Sequence, residues 1–460
     1  MATHTEVLNE IQTDLRELAV ETISRALKAG ATAAEAIIQE GNEFSTVVRL
    51  GQVETLKESG SRAIGLRVFI GKKTASTYSS DFTNEGIERL VSGAVTLARV
   101  TSEDPYAGLP DPSLLGIVPG DLKLYFEDVH SLPPEERIEY ARRAESAAMA
   151  VDTRIGNSDG GSFDAGTGHK IFANSLGFVG EYRRSQCSIM AIPIAQADNG
   201  VMQRDAWYSV ARTLTRLESP EAVGKEAARR TLRRLGARKI ASTQVPVVFD
   251  SETARSLLSE IADCVSGDAI YRHASFLAGK LGEKIAGENI TLTDDGTMPQ
   301  GFGTAPFDGE GIPTRRTVVI EKGVLKSYLL NTYTAKKLGL KTTGNAARGL
   351  TGNPGIRPGN FFLEQGRKTP EAIIADIKQG LYITDLMGFG VNHVTGDYSR
   401  GASGIWIEHG ELTYPVEEIT VAGNLRDMLN NIVEIGNDLE FRSSLASPTL
   451  RIDGMMIAGE

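Results

Sequence analysis

At 460 residues, 41% hydrophobic and 23% charged, the chain is too long for one small core and has an ordinary globular composition, so two or three domains are expected. A net charge of −10, with basic residues dispersed apart from Arg229, Arg230, Arg233 and Arg234, argues against nucleic acid as a partner. Two distant cysteines, no signal-like N-terminus and no apolar run near ~18 residues exclude a disulfide scaffold and a membrane span, and point to a cytoplasmic protein.

Asn9 to Ala29 reads as an amphipathic helix, with Ile11, Leu15, Leu18, Ile23, Ala26 and Leu27 near one face and Gly30 as its stop. From Ala34 to Thr77 the period changes. The segments AEAIIQEG, FSTVVRLG, VETLKES, AIGLRVFIG and TASTYSS predict five strands of a meandering antiparallel sheet, with turns at Gly, Asn or Lys between them. Thr83 can cap the next helix, whose apolar face carries Ile87, Leu90, Val91, Ala94 and Val95. Residues 1–102 thus read as an N-terminal α+β domain, and the Pro/Gly-rich stretch 103–124 as a linker.

A middle segment, 125–240, follows. Ser131 starts a helix with Pro133 and Pro134 in its first turn, running to about Ala150. Strand-like runs come next: HKIFANS, FVGEYRRSQCSIMAIPIAQ and VMQRDAWYSVAR. A helix then opens at Ser219-Pro220 and stops at Gly236.

Residues 241–460 form the last segment, expected to be mostly strands and turns. Val245 to Phe249 is a compact strand, and Glu252 to Val265 is a helix. Met298 to Ala347 joins two glycine-rich loops through a hairpin (Arg316–Ile320, turn at Glu321-Lys322-Gly323, return strand Val324–Leu330) and a helix that Thr332 can cap and Gly339 can end. Its glycines suit either surface turns or backbone lying close to another chain or a ligand. A helix starts at Thr369-Pro370, and Asn424 caps another over LRDMLNNIVEI. The 49 glycines, about one residue in nine against a usual ~7%, favour a turn-rich β component.

Four blocks carry a resemblance: APFDGEGIPTRR, GVLKSYLLNTYTAKKLGLKTTGNA, TGDYSRGASGIWIEHGEL and the terminal RIDGMMIAGE. They resemble the TldD/PmbA family, in the family's order, and the similarity runs over nearly the whole chain, nearest to the PmbA (TldE) branch. The resemblance implies an α+β fold, an N-terminal helix-and-antiparallel-sheet domain followed by a β-rich C-terminal domain. It also implies a cytoplasmic metallopeptidase built from two kinds of subunit, which trims unfolded or extended peptides such as microcin precursors and antitoxins.

In the TldD branch the metal helix carries His-Glu-x-x-x-His ahead of a Gly-Asp pair, and a late Cys completes the site. Such a set can hold a zinc ion and a catalytic base. Here the pair survives as Gly267-Asp268, but Leu258 and Asp263 stand where the histidines would be and Ser259 where the Glu would be. No cysteine follows Cys264. The resemblance therefore implies no metal and no catalytic residue in this chain, with zinc expected in a TldD-like catalytic partner.

Other chemistry is weaker in the sequence. Glu260, Asp263 and Cys264 lie on one helix, with His273 near in sequence. Cys264 reads either as a nucleophile or ligand or as a small buried apolar residue. His393, Asp397, Tyr398, Ser399 and Arg400 form a loop that contacts a bound peptide or partner subunit, or else a hydrogen-bonded turn. No G-x-S-x-G elbow is present, and Gly301-Phe302-Gly303 does not open a helix as a nucleotide loop must. Two alternatives stay open: a protein-interaction module of the gyrase-modulator kind, and a metal-independent hydrolase using Cys264 or a serine. A homodimer is also possible for the isolated chain.

Overall fold

The computed structural model describes residues 14–459. Its first half is one antiparallel sheet with helices on a single face. In chain order the elements are α1 (Leu15–Lys28), β1 (Ala33–Arg49), β2 (Gln52–Ile70), β3 (Lys73–Ser79), α2 (Asn84–Val100), α3 (Glu127–Ser131), α4 (Pro134–Met149), β4 (Ile155–Asn174), β5 (Val179–Gln196), β6 (Met202–Arg204), β7 (Trp207–Ala211) and α5 (Pro220–Leu232). The strand order is β3-β2-β1-β4-β5-β6, with β7 also on β5. Asp14 caps α1, and the expected start at Asn9 lies outside the described residues.

The sequence predicted four short strands between Ala34 and Ile70; there are two long ones. Gly41 and Gly60 are not turns. Gly41 sits in the ladder opposite Ser61 and Gly168, where an added Cβ would stand 3.1 Å from the Thr167 carbonyl. The glycines let backbones approach. The one reversal is Leu50-Gly51, both at positive φ, a tight hairpin turn.

Strand alternation then decides what each face meets. Ala34, Ala36 and Ile38 of β1 lie with Leu66 of β2 and Ile171 of β4 beneath α1 and α2. Phe44, Phe163, Cys187 and Ile189 continue the same face beneath α4 and α5. Each fully buried aliphatic side chain there contributes about 1.5–3 kcal/mol. Glu35, Ile37, Arg67 and Phe172 have the opposite parity and face the second half of the molecule.

That second half contains β8 (Thr243–Phe249), α6 (Ser251–Cys264), α7 (Gly267–Tyr271), β9 (Leu292–Asp295), β10 (Arg316–Glu321), β11 (Val324–Leu325), α8 (Thr332–Leu338), β12 (Ala346–Ala347), β13 (Gly355–Ile356), β14 (Asn360–Leu363), α9 (Pro370–Ala375), β15 (Gln379–Met387), β16 (Asp397–Glu408), β17 (Glu411–Asn424), α10 (Leu425–Asn430), β18 (Ile432–Ile435), β19 (Leu445–Ala446) and β20 (Leu450–Ala458). One sheet runs β17-β16-β15-β8-β20-β18, and a further β17–β20 pairing closes five of its strands into a ring. Closure removes the free edges. A second sheet runs β11-β10-β9-β14-β19, and β12 and β13 pair with each other. The buried face of α6 joins the core that these sheets share. The class is α+β, as expected.

Three local expectations change. The return strand Val324–Leu330 ends at Leu325, because Leu329 pairs instead with the end of α6: its N–H donates to the Val265 carbonyl at 3.0 Å and its carbonyl accepts from Gly267 at 2.9 Å. Asn331, not Thr332, caps α8, in a reciprocal box with Thr334, while Gly339 ends it at φ 67°. The helix from Asn424 stops at Asn430, since Ile432 and Ile435 pair with β20.

The Met298–Ala347 stretch, open between surface turns and close backbone approach, packs onto the helix-free face of the N-terminal sheet. Phe307 sits among Phe172, Phe178, Tyr182 and Ile37. A Cβ at Gly303 would overlap the backbone of Gly359, so the close approach is to this chain itself. Glu35 Oε1 meets Arg67 Nε at 2.7 Å and Arg348 Nη1 at 2.5 Å, all buried. Beside them Glu310 accepts the Thr332 N–H at the start of α8, and Asp308 accepts from Glu310, Ile312 and Ala346. Burial raises the pKa of Asp308 and Glu310 alike. Among the described residues no helix is long and apolar enough to cross a membrane.

Candidate functional site

Helix α6 and the loop before β16 come together. Asp250 caps α6 by accepting the Thr253 N–H at 2.8 Å. One stripe of the helix (Ala254, Leu257, Leu258, Ile261) enters the core. The other carries Ser256, Ser259, Glu260 and Asp263. Leu258 is 4% exposed while Asp263 is exposed, so these two positions do not converge on one point.

The 393–400 segment supplies the opposite wall. His393 Nε2 stands 2.7 Å from Glu260 Oε2, and Asp263 completes a trio whose polar atoms lie within 4.8 Å of one another. Alternation along β16 sorts the rest. Tyr398 is buried, and burial pushes its phenol up to about 12. Arg400 Nη1 reaches Ser256 Oγ at 3.4 Å. Asp397 and Ser399 point outward. Asp397 accepts from Thr395 at 2.6 Å and Asn424 at 3.2 Å, and these bonds hold its carboxyl below the usual range. Of the five loop residues, then, His393, Tyr398 and Arg400 turn toward α6, while Asp397 and Ser399 shape the turn.

The trio does not suit a catalytic zinc. Two ligands on one tetrahedral zinc stand about 3.3 Å apart, given bonds of about 2.0–2.1 Å. His393 and Glu260 are hydrogen-bonded to each other, a contact that would have to open before both could bind one ion. Using both carboxylates as ligands would also leave neither as a base, and Arg400 adds positive charge alongside. Cys264 is fully buried with its thiol pushed up to about 12, and its carbonyl accepts from Ser275 at 2.6 Å. Such a thiol is a packing residue. His273 stands outside the trio.

A separate cavity of about 770 Å³ lies between the helix-free face of the N-terminal sheet and the loops around residues 294–315 and 344–359. No residue of α6 or of 393–400 lines it. Arg212, Arg348 and Asp294, all buried, border it, together with exposed Arg184, Arg315 and Arg357. Sequence reading singled out none of these residues, although Arg315 lies within the APFDGEGIPTRR block.

The models of the PmbA/TldA metallopeptidase domain 1, central domain and C-terminal domain match residues 34–98, 127–235 and 242–459. The chain belongs to the PmbA/TldD family. It is 38% identical to the metalloprotease PmbA of Escherichia coli O157:H7 over the full length of both chains. A crystal structure from Bacteroides thetaiotaomicron, of a protein described as a modulator of DNA gyrase, superposes with a TM-score of 0.91 at 30% identity, covering 98% of this chain and 100% of that one. TldE from Thermococcus kodakarensis shares the fold, with a TM-score of 0.87 at 22% identity over 96% of this chain and 100% of that one.

Proposed function

We propose that this chain is the metal-free subunit of a two-component metallopeptidase of the family, cytoplasmic and acting on unfolded or extended peptides of the microcin-precursor or antitoxin kind. The reading rests on α6: Leu258, Ser259 and Asp263 stand where the resemblance to the TldD branch would put His, Glu and His, and Leu258 is committed to the core. Zinc and the base would come from a TldD-like partner. The His393–Glu260 pair offers this chain's side of the contact a donor and an acceptor. Phe389, wholly exposed at the tip of the neighbouring loop with Met387 and Val394 also exposed, supports a protein surface docking there.

The N-terminal sheet supports peptide binding by strand addition. β3 covers β2 only from Ile64 to Ile70, so Gln52 to Ala63 have no paired strand on their outer side among the described residues. An extended peptide paired to such an edge is held through main-chain hydrogen bonds with little sequence preference.

The test is direct. The purified chain should carry less than stoichiometric zinc by elemental analysis and cleave no unfolded peptide alone, and activity should appear on adding a TldD-like partner. One zinc per chain, or full activity without the partner, overturns the proposal. The gyrase-modulator description of a relative motivates a second reading, a regulator with no peptidase role. Capture from the native cell of a gyrase subunit, with no TldD-like protein, decides for it.

A further inference from the structure

The cavity on the helix-free face holds more positive charge than its own acids answer. Arg212 is 4% exposed. Its guanidinium donates to three carbonyls, Ser185 at 3.1 Å and Gly301 and Phe302 at 3.0 Å each, and lies over the Phe302 ring. These contacts fix its orientation but supply no negative charge, and its Nε has no partner among the described residues. Burial lowers its pKa to about 10, with the charges of Arg184 and Arg357 acting in the same direction and Tyr182 against them. It stays cationic at neutral pH. Neither Arg184 nor Arg357 pairs with a carboxylate among the described residues. Gly168, opposite Arg184 in the ladder, leaves room for the Arg184 side chain across the strand.

None of the nearby acids forms an ion pair with Arg212, Arg184 or Arg357 among the described residues. Asp294 accepts from Asn345 at 2.7 Å, and burial pushes its carboxyl up to about 6. Asp308 is raised too and spends its oxygens on backbone N–H groups. Glu40, Glu43 and Asp164, on β1 and β4, also border the cavity, and none of them pairs with Arg212, Arg184 or Arg357 among the described residues.

We infer that the Arg212–Arg184–Arg357 group is a carboxylate-binding subsite, taking the C-terminal or side-chain carboxylate of an extended peptide. That the ligand is a peptide rests on the function proposed above. The anion site itself rests on three cations without acid partners, one of them buried and held in place. The volume exceeds what a lone anion needs and suits several residues. Ser61 of β2 also borders the cavity, so a strand added to the open Gln52–Ala63 edge runs to its mouth.

Isothermal titration of the full chain alone tests this with four probes: a pentapeptide with a free C-terminus, its C-terminal amide, an amide carrying one internal Asp, and inorganic phosphate. One of the two carboxylate-bearing peptides should bind about tenfold or more tighter than the uncharged amide, as loss of a charge-assisted pair implies. Which of the two does so identifies the source of the carboxylate. Arg184→Gln/Arg357→Gln changes exposed side chains and keeps the fold; it should remove that preference, and Arg212→Met should do the same where circular dichroism shows it folded. Equal binding of all three peptides, an unchanged preference in the double variant, or binding of phosphate alone overturns the inference. Because no partner is present, these outcomes are read independently of cleavage. Carboxylate binding with no partner-dependent cleavage counts against the subunit role and leaves the anion site standing.

Discussion

Two places in this molecule bring acids and bases together, and they behave differently. At the junction of the halves, Glu35, Arg67 and Arg348 are sealed from water beside Glu310. On α6, Glu260 and His393 pair at 21% and 32% side-chain exposure. The first group takes Glu35 and Arg67 from β1 and β2 and Glu310 and Arg348 from the loops packed against them, whereas the second joins α6 to the loop before β16. Burial makes the first set structural: each charge needs every other, and removing one strands the rest. Exposure leaves the second set free to exchange partners at little cost. The buried set is therefore architecture, and of the two the α6 pair is the one left facing solvent.

The comparison breaks most easily at Arg348. Arg348→Met leaves Glu35 with Arg67 alone in a dry site and should cost about 3–5 kcal/mol in urea unfolding. A loss below about 1 kcal/mol would mean that water reaches the junction and that it resembles the α6 pair after all.

A gentler probe is Asp294, beside the junction and 1% exposed. Burial raises its folded pKa to about 6, above an unfolded value of ~3.9. The folded state thus holds this proton more tightly. The resulting stability is fully present below pH ~4 and is lost as pH rises through about 6. Asp294→Asn keeps an acceptor for Asn345 and removes the charge. It should match the parent at pH 4 and exceed it by about 1–3 kcal/mol at pH 8, measured by denaturant midpoint. A parent no more sensitive than the variant between those pH values would show that Asp294 is solvated.

Much of the fold was readable because its signals are local. Thr83 caps α2, Gly339 ends α8, and α6 follows its apolar stripe. Misreadings came where distant chain decides. Gly41 looks like a turn until Gly168 stands opposite, and Leu329 leaves its hairpin for Val265. The α6 helix and the 393–400 loop were each visible in the sequence, but 133 residues separate Glu260 from His393, so their meeting was not. Arg212 had no signal at all, since its partners are carbonyls as far as 90 residues away.

The smallest effect on stability should come from His393→Ala, and there the two regions part most clearly. The pair it removes is partly exposed, so the loss should be about 0–1 kcal/mol. Glu260 can then turn to water, unlike Glu35. Partner-dependent peptide cleavage should nevertheless fall, while unfolding midpoint and binding of a carboxylate peptide to the chain alone stay put, because no residue of this loop borders the cavity. A drop of 3 kcal/mol or more would place His393 with the buried ions, as a brace between α6 and β16. Unchanged cleavage would instead remove the α6 face from the contact and leave the open β2 edge as the surface to probe.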